Sequence, residues 1–312
     1  MNQRCRKIQE GLLAVALQEA TARMRDHVQA HVAVCEACRS ELERCRDLDD
    51  VMTALKVEPA VAEVGSRDRL RVSLIDLRGR ILRYRVFESP LGRICVGRTE
   101  LGVALVTFLG RARSPRVPGL ELMEDGSQEF ERLGSELLDY LHGKRAVLDW
   151  QLDLRLAKSD FQRTVLETTG RIPYGAVTSY ASVARELGRP KATRAVAQAL
   201  RNNPVSLVVP CHRVIGANGA LTGYAGNRVG LKRRILAVEG IPTVTKPGVP
   251  RIRRAAMYHH VGHEEAYCVP TCPGLPERSL ARITLFATRA HAESCGLSPC
   301  RVCRPDTHPI AG

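Results

Sequence analysis

The sequence predicts an α+β chain of several domains, with a small cysteine-rich module at each end and a basic body between them. Three observations carry this reading. At 312 residues the chain is long enough for two or three domains. Its apolar periodicity runs from helical, through alternating, and back to helical. Its eleven cysteines gather within residues 5–45 and 268–303, which leaves Cys95 and Cys211 isolated between the clusters.

A formal net charge of +14 favours a polyanionic partner, and nucleic acid is the commonest one. The competing reading is an arginine-rich solvated face. No apolar stretch is long enough to span a bilayer. The start, MNQRCRKIQEG, has no signal-peptide core, so a cytoplasmic protein without membrane contact is expected. Disulfides are rare in that compartment. Clustered cysteines then point to metal, and a solitary cysteine beside a histidine points to a nucleophile.

Residues 1–57 read as a helical module, because residues 11–32 and 41–55 carry apolar residues at helical spacing. The pattern lapses at residues 57–68, which read as a linker. Residues 80–158 mix strand and helix. Alternating runs in YRVFESPLGRICVGRTELGVALVTF, broken by Pro-Leu-Gly and Leu-Gly, predict adjacent strands. FERLGSELLDYLHG predicts an amphipathic helix ending at Gly143. Residues 159–242 read as mostly helical, with loops at residues 173–175, 188–190 and 217–223. IPTVTKPGVPRIRR predicts a second linker, and residues 258–308 form the cysteine-rich end.

The chemistry centres on Pro-Cys-His-Arg-Val. A cysteine attacks as thiolate but is mostly protonated at neutral pH. His212, next to Cys211, offers a base, and Glu239 offers a group to orient it. The apolar run SLVVP before Cys211 predicts a buried extended segment, with the sulfur at the floor of a pocket. Taken alone, Cys-His more often marks an inert buried thiol than a nucleophile. SYASVARELG and RPKATRAVAQALRNNP read as helix, turn, helix, a unit that can enter a DNA groove or simply pack in a core. The second helix carries Lys191, Arg194 and Arg201 and no acid. Residues 151–240 hold fourteen Lys/Arg against five Asp/Glu, which favours DNA.

The segment from DFQRTVLETTG through PCHRVIGANGALTGY to LAVEG resembles the O6-alkylguanine-DNA alkyltransferase family over about eighty residues. Residues 80–158 resemble the ribonuclease-H-like subdomain that precedes the active domain there. The resemblance implies stoichiometric transfer of an alkyl group from O6-alkylguanine, and from O4-alkylthymine, in double-stranded DNA to Cys211. It implies that His212 acts through a water as base, that Glu239 holds His212, and that Asn203 braces the turn before the active-site segment. Tyr180 would help rotate the target nucleotide out of the duplex, and Arg194 would fill the gap left behind. Val209 and Tyr224 would line the guanine pocket.

Cys268, Cys272, Cys300 and Cys303 are spaced C-x3-C-x27-C-x2-C, and two such pairs can converge as a tetrahedral thiolate site for zinc, with Cys295 extra and His263 and His308 as rival ligands. Residues 267–306 are similar to the metal-binding domain of the Ada adaptive-response protein. That resemblance implies that Cys268 is a second methyl acceptor, for DNA phosphotriesters; a purely structural zinc site is the alternative. Only nine residues follow Cys303, so the DNA-binding domain that usually follows this module is not expected after it.

Cys5, His31, Cys35 and Cys38 make a second set of three thiols and one imidazole, suited to a closed zinc site, with His27 as a rival ligand. The region resembles the zinc-binding anti-sigma domain, which implies a sigma factor or another protein as its partner. The expectation is therefore a monomer with a structural zinc at each end and no organic cofactor. The rival is a thiol- or alkylation-responsive regulator that binds a sigma factor. No role is assigned to Cys45, Cys95 or Cys295.

Overall fold

The computed structural model describes residues 3–17, 19–54, 80–224, 228–245, 248–262, 264–275 and 279–310. They fall into two compact units, Met1–Ile75 and Asp76–Gly312.

The first unit is a three-helix module: α1 (Gln3–Ala16), α2 (Ala22–Val32) and α3 (Glu36–Ala54). Residues 11–32, continuous by periodicity, are broken before Thr21, whose Oγ1 accepts from Met24 N at 3.4 Å and caps α2. Ile8, Leu12, Val15, Val28 and Leu42 form its core. A side chain on Gly11 would meet Val28 Cγ2 at 2.9 Å, so glycine permits the close approach of α1 and α2. The predicted linker at residues 57–68 lies outside the described residues.

The second unit opens with β1 (Ile81–Phe87), β2 (Ile94–Thr99), β3 (Gly102–Phe108) and β4 (Glu121–Glu124). They form one sheet in the order β3-β2-β1-β4, antiparallel except for the parallel pair β1–β4. α4 (Gln128–Leu141) buries Phe130, Leu133, Leu137 and Tyr140 at helical spacing. It ends just before Gly143, whose φ of 72° is a left-handed conformation that glycine adopts without strain.

Next come α5 (Asp160–Gly170), β5 (Ala176–Ser179), α6 (Tyr180–Glu186), α7 (Thr193–Arg201), β6 (Val214–Ile215) and α8 (Val229–Val238). Ser159 and Ser179 cap α5 and α6 through their hydroxyls. The predicted helix-turn-helix is α6–α7, with Lys191 in the turn rather than on α7.

Two expectations are corrected here. Residues 241–254 are not a free linker. β7 (Thr243–Val244) pairs with β8 (Arg251–Ile252), and Leu221 N donates to Pro250 O at 2.8 Å. Nor is the mostly helical reading of residues 159–242 complete, because β5 and β6 run through its centre.

The C-terminal stretch forms β9 (Tyr258–Val261), β10 (Ala266–Cys268), β11 (Ile283–Phe286), α9 (Arg289–Glu293) and β12 (Ser298–Pro299). These strands join β5 and β6 in one six-stranded sheet, in the order β12-β10-β9-β11-β5-β6. The seam is the antiparallel pairing of Leu285 with Val177 and Phe286 with Ala176. Both cores cross it. Tyr267, Phe286 and Ala292 pack in one cluster with Val165, Ala176 and Cys211, while Cys268, Cys272 and Leu285 pack in another with Val177, Ile215 and Leu236.

Candidate active site

Cys211 begins a short 3-10 turn, Cys211–Arg213, and is 6% exposed. The segment leading to it is bent, not a regular strand: Leu207 sits at φ 75°, a strained left-handed conformation for a branched residue. Asn203 supports the bend from both ends. Its Nδ2 donates to Val209 O at 2.9 Å, and its Oδ1 accepts from Val205 N at 3.0 Å. The sulfur lies in the wall of a cavity of about 350 Å³, lined also by Tyr180, Arg194, Leu200, Arg201, Thr222 and Tyr224. Val209 is buried and is not among the residues that line this cavity.

Behind the thiol is a fully buried network. Glu239, the C-cap of α8, is 1% exposed, and its Oε1 accepts from His212 Nε2 at 2.7 Å and from Tyr140 Oη at 2.6 Å. Arg213 Nε donates to Glu239 Oε2 at 2.9 Å, and Gly175 N to the same oxygen at 3.3 Å. Burial alone would raise the Glu239 carboxyl. His212 and Arg213 more than offset that and hold it at about 2. Since the ionised carboxylate can only accept, His212 Nε2 carries the ring proton and Nδ1 presents a lone pair. That Nδ1 is buried and meets no hydrogen-bond partner among the described residues. Burial pushes the His212 imidazole down, with Glu239 opposing it and Arg213 and Lys232 adding to it, so the ring is a neutral base.

Burial likewise pushes the Cys211 thiol up, against Asn203 and Lys232. The resting sulfur is therefore protonated and depends on its base. Lys232 is 0% exposed, and its Nζ donates to Val214 O at 2.5 Å and to Thr222 O at 3.2 Å. Burial lowers its ammonium to about 8. Thr222 O also accepts from Tyr180 Oη at 3.2 Å, which fixes the ring at the cavity mouth. Arg194 and Arg201 are exposed on α7 beside the opening, while Lys191 stands outside it.

The structure thus brings together Cys211, His212, Glu239, Asn203, Tyr180, Arg194, Arg201 and Tyr224. Sequence reasoning missed Arg213, Tyr140 and Lys232, and also Tyr174, whose ring lies 5.7 Å from the Arg213 guanidinium. Arg213 lies within Pro-Cys-His-Arg-Val and was open to notice. Tyr140 reaches Glu239 from 99 residues away, with no local signal.

Both metal-ligand sets also assemble. The donor atoms of Cys5, His31, Cys35 and Cys38 lie within 4.8 Å of one another, as do those of Cys268, Cys272, Cys300 and Cys303. His31 Nε2 is buried without a hydrogen-bond partner, as a ligand nitrogen should be before its ion is counted. His27 lines a groove elsewhere on the module and is not in the cluster. Cys295 and His308 are likewise outside the C-terminal set, and His263 lies outside the described residues.

A protonated thiol in the wall of an open cavity, with a neutral imidazole and a carboxylate buried behind it, is the arrangement of a nucleophile that a base can activate. Residues 160–241 match the family model "6-O-methylguanine DNA methyltransferase, DNA binding domain", and residues 254–306 match "Metal binding domain of Ada". A methylated-DNA–protein-cysteine methyltransferase of Methanosarcina acetivorans is 37% identical over 159 residues, covering 50% of this chain and 97% of its own. The constitutive one of Bacillus subtilis is 36% identical over 162 residues, covering 51% and 95%. The crystal structure of Mycobacterium tuberculosis OGT in complex with DNA is 36% identical with a TM-score of 0.44, covering 50% of this chain and 92% of that one. The chain belongs to the methylated-DNA–protein-cysteine methyltransferase family.

Proposed function

We infer that this chain repairs DNA by moving the alkyl group of an O6-alkylguanine onto Cys211 in a single turnover. The observation that carries this is the cavity of about 350 Å³ that joins the Cys211 sulfur to the basic face of α7, with the His212–Glu239 pair behind the sulfur. The target carbon is shielded inside a duplex, so the base must be turned out into the cavity. Tyr180 assists that rotation and Arg194 fills the gap; Arg201 and Lys191 add charge for the backbone. Tyr224 walls the base. His212, through a water, takes the thiol proton. The sulfur forms a bond to the alkyl carbon, the bond from that carbon to O6 breaks, and the resulting guanine anion takes up at N1 one proton, equal to the one removed from the thiol. O4-alkylthymine is a smaller substrate for the same cavity. The thioether resists hydrolysis, so the protein is spent.

The test is intact-mass and peptide analysis after incubation with a duplex carrying O6-methylguanine. One methyl gained on the Cys211 peptide per protein molecule is expected. Continuing turnover, or gain at another residue alone, overturns the assignment.

The C-terminal set of four thiols suits zinc, which when bound keeps its ligands as thiolates. Cys268 is proposed as a second methyl acceptor, for phosphotriesters in DNA. A methyl on the Cys268 peptide after exposure to such DNA supports this, and an unmodified peptide leaves a structural site. Residues 80–158, with one helix over a mixed sheet, suit the ribonuclease-H-like subdomain of the family. The N-terminal module, with three thiols and an imidazole, is proposed as a zinc-stabilised protein-binding unit, with a sigma factor as candidate partner. Chelation should abolish its helicity, since metal and folding are coupled in modules this small. The protein is proposed to act as a cytoplasmic monomer.

A further inference from the structure

The turn Ile172–Gly175 holds two members of the buried network. Ile172 O accepts from Arg213 Nη1 at 2.6 Å, and Gly175 N donates to Glu239 Oε2 at 3.3 Å. Between them, Tyr174 Oη donates to Val238 O at 2.9 Å, and the Tyr174 ring lies 5.7 Å from the Arg213 guanidinium. The orientation of the Glu239 carboxylate, and so of His212, depends on where this turn sits.

The C-terminal cysteine module covers the turn. Ala287 N donates to Gly175 O at 2.8 Å, in line with the β5–β11 seam. The His291 ring stands edge-on to Tyr174, at 5.5 Å and 80°. It also lies directly over Gly175, where a β-carbon would come within 2.0 Å of His291 Nδ1. Gly175 has φ 70°, so glycine is required there on both grounds. His291 is itself held firmly. Its backbone N donates to Thr288 Oγ1 at 3.2 Å, the adjacent Ala292 is 0% exposed in the shared core, and Glu293 accepts from Tyr267 Oη at 2.8 Å.

We propose that His291, carried by the C-terminal module, is a positioning residue for alkyl transfer at Cys211, acting through Tyr174 and Gly175 on Glu239. This rests on the alkyl-transfer reading above. Loss of the ring frees the Tyr174–Gly175 turn on its outer side. The carboxylate then loses the fixed direction in which it holds the His212 ring through Nε2. The chain of contact runs from the module to His212 without involving the sulfur or the α7 arginines Arg194 and Arg201, so DNA affinity is expected to stay unchanged.

The test is single-turnover transfer from an O6-methylguanine duplex, reading the burst amplitude, the rate constant and the DNA affinity separately. Amplitude counts folded, competent molecules, whereas the rate constant reads their geometry. His291→Ala should slow the rate constant about tenfold, the cost of a sub-ångström misplacement. DNA affinity should stay unchanged. His291→Phe, which restores a ring over Gly175, should return the rate constant to within about twofold of the parent. If His291→Ala yields no competent protein, His291→Gln, which fills space without a ring, takes its place under the same criterion. A parental rate constant in the ringless variant overturns the proposal, as does a slowing that phenylalanine fails to relieve. Failure of the unmodified protein to transfer at all would overturn the alkyl-transfer reading instead, so the two failures are distinct.

Discussion

Cys211 and Cys95 are both buried thiols of the second unit, at 6% and 0% exposure, and burial raises both above the ordinary cysteine range. They differ in what surrounds the sulfur. Cys95, on β2, has its pKa set by burial alone, pushed up to about 12 among apolar neighbours such as Leu82 and Leu105. Cys211 has Asn203 and Lys232 pulling the other way, a neutral imidazole next in sequence and a cavity in front. The comparison teaches that burial makes a thiol inert by default, and that reactivity is built from the base, the cations and the opening.

Cys211→Ser gives the largest effect expected. The hydroxyl is a far weaker nucleophile than a thiolate, so no methyl should appear on the protein after incubation with lesion-bearing duplex. Transfer to the Cys95 peptide in that variant would break the comparison outright. Next is Glu239→Gln. It leaves Arg213 buried without its carboxylate, sets an amide N–H against the donors Arg213 Nε and Gly175 N, and leaves His212 at most a neutral carbonyl acceptor. A loss of about 3–5 kcal/mol in unfolding free energy is expected, with transfer slowed about a hundredfold or more. Chemical denaturation and single-turnover kinetics read the two effects separately.

Most of the Cys211 centre was legible because its residues sit in a short, dense motif. The nucleophile and base are adjacent in sequence, and the basic α6–α7 pair precedes them. What was not legible depends on long-range packing. Lys232 belongs to a run, Lys-Arg-Arg, that reads as a solvated face. Arg233 and Arg234 are indeed exposed, while Lys232 is 0% exposed, because its ammonium turns inward onto Val214 O and Thr222 O. The β5–β11 seam joins two four-residue strands more than a hundred residues apart, too short for either to declare a partner. His291 was one histidine on a five-residue helix, with nothing local to mark it. The two cysteine sets read as ligand groups do come together in space, and spacing accounts for the close pairs within each, on a turn or one helical face.

Acid pH sharpens the contrast more gently. Glu239 has a folded pKa of about 2, below its ordinary value of 4.5. Its contribution to stability is therefore fully present above pH 4.5 and is lost as pH falls from there toward 2. His212 is pushed below the ordinary imidazole value, so it remains a neutral base as pH falls through 6.5. The transfer rate should therefore be level across that value and decline only at lower pH. A half-maximal rate at 6.5 would show that the imidazole is solvated and the network open.

The smallest expected effect is the most direct check on the inert partner. Cys95→Ala removes one sulfur from a site of 0% exposure, leaving a small void between β2 and its neighbours. A destabilisation of about 1 kcal/mol follows from lost transfer energy and incomplete collapse. The transfer rate, burst amplitude and DNA affinity should all match the parent, because among the described residues no hydrogen bond or charge links Cys95 to the Glu239 network. A change in the rate constant without a change in stability would mean that the β-sheet of residues 81–124 transmits packing into the alkyl-transfer site. The difference between the two thiols would then lie in coupling as well as in surroundings.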